Sequence, residues 1–460
     1  MKISIRNLGP VKNAEIDIND LTIIAGGNNT GKTYITYAIY GLLREWRYST
    51  SGDIDEVKSF AEELIEKGIV AIPADRLNDK RAEIINRISE SFSADIYNIF
   101  GTGKARFPDT KIAISIEEQD KATFTNEVSR RFSLGKSIFI EAKHGKEGEM
   151  ILTLIADDKK NLPSSHSLTL YIDNILRRFL LESFFPYPFI LSAERQAISL
   201  FYKSLDIKRN IYIEQCREMF GDVEREDFDD LDSMEKHSSR YALPIKDSIF
   251  FTRDIDNVKS EESSLFLRKK ISNKIEEMMG GYFEQIDKEV HFISKAGKGE
   301  KKFDIPLYLA SSSARGLSDI YFFLKHRAKD GDIIMIDEPE SHLHPANQIL
   351  MARLLAVCVN SGLKIFISTH SDYIIKEFNN LIMLSNDFEG KEDFLKNNPY
   401  GKDDFLKPES VSAYICKNGT LTPCEVDGKG MDISSFDDTI DNINAVADEL
   451  DYLTGPIDED

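Results

Sequence analysis

The stretch LTIIAGGNNTGKTYITYAIYGLL, residues 21–43, limits what this chain can fold into more than any other part of it. Leu21 to Ala25 form a short apolar run that predicts a strand buried on both faces. Gly26, Gly27, Asn28, Asn29, Thr30, Gly31, Lys32 and Thr33 then match GxxxxGK[ST], and Ile35, Ile39 and Leu42 recur at helical spacing. Strand, glycine-rich loop and helix in that order are what a phosphate cradle needs. The glycines let successive backbone N–H groups turn inward, and the helix start adds the positive end of its dipole. Lys32 is then placed to reach the β- and γ-phosphates, and Thr33 to give an oxygen to Mg²⁺, so the expected ligands are ATP and Mg²⁺. Taken alone, the loop could also be a Gly/Asn-rich turn capping a helix.

A second short apolar run, Ile333 to Ile336, ends in Asp337 and Glu338. Carboxylates delivered by a buried strand need a cation or a reaction beside them. Asp337 is assigned to Mg²⁺ and Glu338 to the base that orients and deprotonates the attacking water. A further apolar strand, residues 363–369, leads into His370, which either meets the γ-phosphate or water or is incidental to a helix start. His342 and His344 alternate along SHLHP, a spacing open to a metal pair or to a loop that contacts a second subunit.

Length and composition narrow the setting. The 460 residues suggest about three domains, and 41% hydrophobic with 30% charged residues describes a chain able to bury a sizeable core. A net charge of −20 argues against a surface built to neutralise phosphate backbones, so DNA is a less favoured partner than protein. Cys216, Cys358, Cys416 and Cys424 show no CxxC spacing, which favours inert thiols over zinc or disulfides. No apolar run approaches the roughly 18 residues of a membrane span, and the first residues alternate as a strand does, so a cytoplasmic location without membrane association is expected.

Between the loop and the acidic strand lies LYLASSSARGLSDI, residues 307–320. Phosphate loop, serine-rich loop before a helix, acidic strand and terminal histidine follow the order of ABC-type ATPases. The chain resembles the branch that contains RecF, Rad50 and OLD ATPases, and within it the compact ATPases of bacterial antiphage defence, such as those of the PARIS system, with the Septu ATPases as a neighbouring option. The resemblance implies an α/β ABC-type head, a mixed sheet flanked by helices with an antiparallel β subdomain and a mainly helical insertion. It aligns Ser311 with the signature serine and Ser312 and Ser313 with the glycines that follow, which in the family reach a partner's γ-phosphate across a dimer. Both glycines are serine here, which removes access to positive φ, adds side chains in a crowded interface and predicts slow turnover. An ordinary helix N-cap is the other reading of the same serines. Within residues 185–203, Gln196 is the candidate glutamine of the glutamine-loop, beside Arg195, or part of a plain strand-to-helix turn.

This order divides the chain into a split ATPase core, residues 1–45 and 300–460, and two insertions, 46–165 with a helix and antiparallel strands and 166–299 mainly helical. Alternating segments at 111–117, 121–128, 137–143 and 149–157 are expected to extend the sheet begun by the first strands. Residues 410–427 read as a closing hairpin, 435–453 as a terminal helix, 224–232 as an acidic solvated loop, and 295–302 as a basic hairpin turn. No Asp-x-Asp occurs between Ser371 and Pro456, so the C-terminal TOPRIM nuclease that OLD proteins carry is not expected in this chain. The resemblance therefore implies a homo-oligomer, at least a dimer through the ATP sites, that controls a separate protein effector of the TOPRIM nuclease type and responds to a phage protein trigger. The alternative is a RecF-like DNA-binding repair ATPase.

Overall fold

The computed structural model describes residues 1–48, 55–116, 130–133, 138–144, 149–156, 165–202, 241–255, 262–268, 270–286, 289–295, 302–433, 443–450 and 452–453. The strands in chain order are β1 (Lys2–Leu8), β2 (Val11–Asp17), β3 (Leu21–Ala25), β4 (Ile69–Pro73), β5 (Lys111–Ser115), β6 (Arg130–Ser133), β7 (Ile138–His144), β8 (Glu149–Ala156) and β9 (Pro188–Leu191). They continue as β10 (Gly281–Ile286), β11 (Glu289–Ser294), β12 (Asp304–Pro306), β13 (Ile333–Asp337), β14 (Lys364–Thr369), β15 (Val411–Lys417) and β16 (Thr420–Cys424).

Nine of them form one sheet in the order β5-β1-β2-β16-β15-β3-β14-β13-β9. Strands β15, β3, β14, β13 and β9 run parallel, while β1, β2 and β5 pair antiparallel at the other end. Every residue of β3 and β13 is buried, as apolar runs predict for strands covered on both faces. The two cores follow from strand alternation. Ile24, Ile333, Met335 and Phe366 face the core that holds the helix Lys32–Glu45, whereas Ile23, Ile334, Ile336, Ile365 and Ile367 face the opposite one. Ile35, Ile39 and Leu42 of that helix are fully buried. This is the architecture expected from the sequence, α/β with a mixed sheet, flanking helices and antiparallel sheets.

Register explains why distant residues meet. Thr369 pairs with Ala25 across β14 and β3, and Asp337 pairs with Ser368 across β13 and β14. The C-terminal ends of three parallel strands thus bring the glycine-rich loop, His370 and Asp337 to one edge of the sheet.

Two expectations need correction. Among the described residues only 111–115 extend the first strands, as β5 beside β1; β7 and β8 instead join β4 and β6 in a separate four-stranded sheet. The alternation of Ile69–Pro73, buried at its second and fourth residues, supplies the partner that covers β8. The insertion expected to be mainly helical, 166–299, also carries strands: the helix Lys270–Met279 stops because Gly280 takes φ 65°, a left-handed C-terminal stop, and β10 begins at Gly281. The closing hairpin is present as β15 and β16, and part of the terminal helix is present over 443–450. The segments 121–128 and 224–232, most of the 295–302 turn and Cys216 lie outside the described residues.

Candidate nucleotide-binding and hydrolytic site

The loop after β3 is held open by backbone geometry. Gly26 and Gly31 take φ 148° and 108°, and Asn29 takes φ 59°. A Cβ at Gly31 would stand 2.7 Å from Val11 Cγ2, and one at Gly26 would meet the Cys416 carbonyl, so the glycines are needed for close approach as well as for φ. Thr30 Oγ1 donates to the Gly27 carbonyl at 3.0 Å, and Cys416 Sγ donates to the Thr30 carbonyl at 3.2 Å, which ties the loop to β15. Asn28 and Asn29 are exposed.

Lys32 is 5% exposed and donates to the Gly26 and Gly27 carbonyls at 3.1 and 2.9 Å. Its Nζ also lies 2.8 Å from His370 Nε2. Burial lowers the Lys32 ammonium from its ordinary value, opposed by Cys416, Asp337, Glu338 and Glu340. Burial and the Lys32 charge together lower His370, favouring the neutral imidazole that a lysine can donate to. The N-cap of the following helix is Ser371, not His370, so the histidine is free of the capping role.

Asp337 is 1% exposed, and burial pushes its carboxyl up against the nearby hydroxyls of Ser368 and Thr33. Ser368 Oγ donates to Asp337 Oδ1, while Oδ2 is buried without a hydrogen-bond partner among the described residues. A buried carboxylate oxygen left open beside a threonine hydroxyl is the donor set that suits Mg²⁺, and the glycine cradle with Lys32 suits the phosphates of ATP, so the residues present fit both groups. Glu338 is half-buried at φ 53°; its Oε2 accepts from Ser341 Oγ at 2.9 Å.

The other sequence candidates gather elsewhere. Ser311 caps the helix Ser312–His326, accepting from the Ala314 amide at 3.2 Å, and its Oγ lies 3.1 Å from Ser313 Oγ. Gln196 Nε2 donates to the Ser312 carbonyl at 2.7 Å. The structure thus brings Lys32, Thr33, Asp337, Glu338 and His370 to one place and Gln196, Ser311, Ser312 and Ser313 to another. Among the described residues no hydrogen bond joins the serines to the loop. His344 caps the helix Pro345–Asn360, its Nδ1 accepting from the Ala346 amide at 3.3 Å.

Sequence reasoning gave no role to Glu340. Its Oε1 accepts the His370 amide at 2.6 Å and its Oε2 the Thr369 hydroxyl at 2.8 Å, fixing the start of the segment that carries His370. A third acid in DEPES was the available signal. Cys416 gave none, since nothing local marks a thiol as lying behind a loop formed some 390 residues earlier.

A buried parallel strand feeding a phosphate cradle, with an acidic strand and a histidine beside it, has the layout of an ATPase's nucleotide site. Residues 1–375 match the AAA ATPase domain family, and the chain belongs to it. No curated protein matches it in sequence. Among solved structures it is similar to an SMC head domain from Thermotoga maritima, at 12% identity and TM-score 0.33, over 93% of this chain and 98% of that one. It is also similar to an SMC head bound to the C-terminal winged-helix domain of ScpA, at 13% identity and TM-score 0.34, over 92% and 96%. A third is a Pyrococcus furiosus-derived SMC head with an extended coiled coil, bound to the C-terminal domain of ScpA, at 14% identity and TM-score 0.30, over 97% and 98%.

Proposed function

We propose that this chain hydrolyses ATP as the sensor and scaffold subunit of an antiphage defence complex, resembling the PARIS ATPase AriA, with the Septu ATPase PtuA as a neighbouring option. The hydrolytic reading rests on one observation above others: Lys32, His370, Asp337 and Glu338 converge at the ends of adjacent parallel strands. In this reading residues 26–33 wrap the phosphates, Lys32 leaves its loop carbonyls for the β- and γ-phosphates, and Thr33 and Asp337 hold Mg²⁺. The metal supplies charge neutralisation on the phosphate oxygens. Glu338 orients and deprotonates the water, and His370 passes from Lys32 to the γ-phosphate or the water. Ser311, Ser312 and Ser313 serve the site of a second copy, and Gln196 serves as the glutamine-loop residue.

The division into a core of 1–45 and 300–460 with insertions 46–165 and 166–299 belongs to the same proposal, as do the cytoplasmic location, the TOPRIM-type effector and the phage trigger. A protein partner is supported by the segment 443–450, where Ile443 and Val446 are 64% and 56% exposed on a helix. Among the described residues no helix is long and apolar enough to cross a membrane.

The test is the Glu338→Gln protein expressed with its native genomic neighbours, held in MgATP and captured for mass spectrometry and nucleic-acid assay, alongside phosphate release by the wild type. Glutamine keeps the shape but removes the base, so hydrolysis should fall about a hundredfold or more while ATP binding survives. A stoichiometric protein partner supports the defence reading. Co-purifying duplex DNA without protein, with turnover stimulated by duplex DNA, would replace it with the RecF-like one.

A further inference from the structure

Arg195 is not one of the groups that grip a nucleotide in the site above, yet it sits where that site joins the rest of the chain. It is 5% exposed, and among the described residues its hydrogen bonds go to three carbonyls and to no carboxylate. One terminal nitrogen donates to the Ser192 and Asp337 carbonyls at 3.1 and 2.9 Å; the other donates to the Glu338 carbonyl at 2.8 Å. Those last two carbonyls flank the Glu338 backbone on either side. A single planar guanidinium that holds both fixes the dihedrals between them.

Those dihedrals are strained. At φ 53° a residue with a side chain gives up roughly 1 kcal/mol, and such a conformation persists only where its surroundings over-determine it. Here the Glu338 amide donates to the Ser368 carbonyl at 2.9 Å, and its carbonyl accepts from the Ser341 amide at 3.0 Å as well as from Arg195. Ser341 Oγ then holds Glu338 Oε2, so the direction of the carboxylate follows the geometry of the turn.

The same segment touches the helix Ser312–His326. Gln196 donates to the Ser312 carbonyl, and a Cβ at Gly316 would come within 3.4 Å of Gln196 Nε2 and 3.9 Å of Arg195 Nε. A cavity of about 10 Å³ lies between Arg195, Ser313, Gly316, Ile336 and Ser341, leaving little slack between that helix and the turn.

We propose that Arg195 is a positioning residue for Glu338: it clamps the peptide groups on both sides of that residue and, with Gln196, ties their geometry to the chain's own 312–326 helix. The proposal rests on Glu338 acting in hydrolysis. It assigns Arg195 no contact with ATP.

The experiment compares wild type, Arg195→Met and Arg195→Lys by phosphate release over a range of MgATP, by binding of a fluorescent ATP analogue, and by amide hydrogen exchange over 338–343. Methionine keeps length and loses all donors. It should lower kcat about tenfold or more, the scale of losing hydrogen bonds from a charged donor, with KM and nucleotide affinity held within about threefold. Exchange at the Ser341 amide should speed up, and lysine should recover part of both losses. Wild-type kcat with unchanged exchange in Arg195→Met overturns the proposal. So does a parallel loss of affinity and kcat that lysine does not relieve, which marks a merely structural residue. Should the methionine variant not fold, Arg195→Lys decides: reduced kcat at retained affinity supports the clamp, and wild-type kcat refutes it. If the wild type shows no hydrolysis sensitive to Glu338→Gln, the hydrolytic reading fails by itself, and amide exchange still reports whether Arg195 holds the turn.

Discussion

Asp319 offers a stability test that needs no nucleotide. It is 2% exposed in the helix Ser312–His326, and its Oδ2 and Oδ1 accept from Thr252 Oγ1 at 3.0 Å and Ser318 Oγ at 3.3 Å. Those hydroxyls and the Arg195 charge favour the carboxylate, but burial outweighs them and pushes the group from 3.8 to about 7. The folded chain therefore holds a proton that the unfolded chain has released over this window, and stability falls as pH rises through it. That rise corresponds to roughly 4 kcal/mol of cost, complete only above about pH 7. Linkage places about 2 kcal/mol of that between about pH 5.5 and 8. Asparagine keeps the shape and is neutral throughout. Equilibrium urea denaturation of wild type and Asp319→Asn at those two pH values should show the variant gaining roughly 2 kcal/mol on the wild type at the higher one. Taking the difference between the two proteins removes the other titrating groups. Parallel pH dependence would refute the reasoning. A variant less stable at the higher pH would show that the ionised carboxylate is worth more as a counter-charge to Arg195 than its burial costs.

Two further outcomes follow from the geometry. Gly31→Ala forces a Cβ at φ 108° against Val11 Cγ2, 2.7 Å away, and should destabilise the chain by about 1–3 kcal/mol in thermal unfolding while weakening ATP binding in titration. Arg353 Nε donates to Glu377 Oε1 at 2.5 Å in a largely buried pair, with the guanidinium 4.2 Å from the Tyr400 ring centroid. Removing either partner alone should cost about 3–5 kcal/mol and replacing both with leucine much less, so a double-mutant cycle that proves additive would show the pair is not coupled.

What was legible in the sequence was what local chemistry fixes. Apolar runs such as Ile333 to Ile336 declared strands covered on both faces, and GGNNTGKT between strand and helix declared its cradle. The parting of β7 and β8 from the first sheet was not legible, because alternation says which face of a strand is buried and not which neighbour buries it. Arg195 was visible only as a neighbour of Gln196. Its contacts are to carbonyls, which every residue carries, so no pattern of side chains could point to them.

The serine-rich loop shows how far such a reading carries. Replacing the glycines after Ser311 was expected to hurt partly by removing access to positive φ. Yet Ser311 stands at φ −60°, Ser312 and Ser313 begin the helix, and none of the three is among the described residues with positive φ. The backbone here makes no demand for glycine, so any penalty in a dimer reduces to side-chain bulk. Capping and a role toward a second copy's phosphate are also compatible, since a hydroxyl that accepts from the Ala314 amide keeps its own proton to donate. Ser313 now stands within reach of that proton at 3.1 Å. Ser313→Gly would remove both the bulk and the competing hydroxyl. In the proposed dimer it should therefore raise turnover with little change in fold stability, as read by phosphate release and thermal unfolding, and an unchanged or lower rate would argue that Ser311 serves only as the cap.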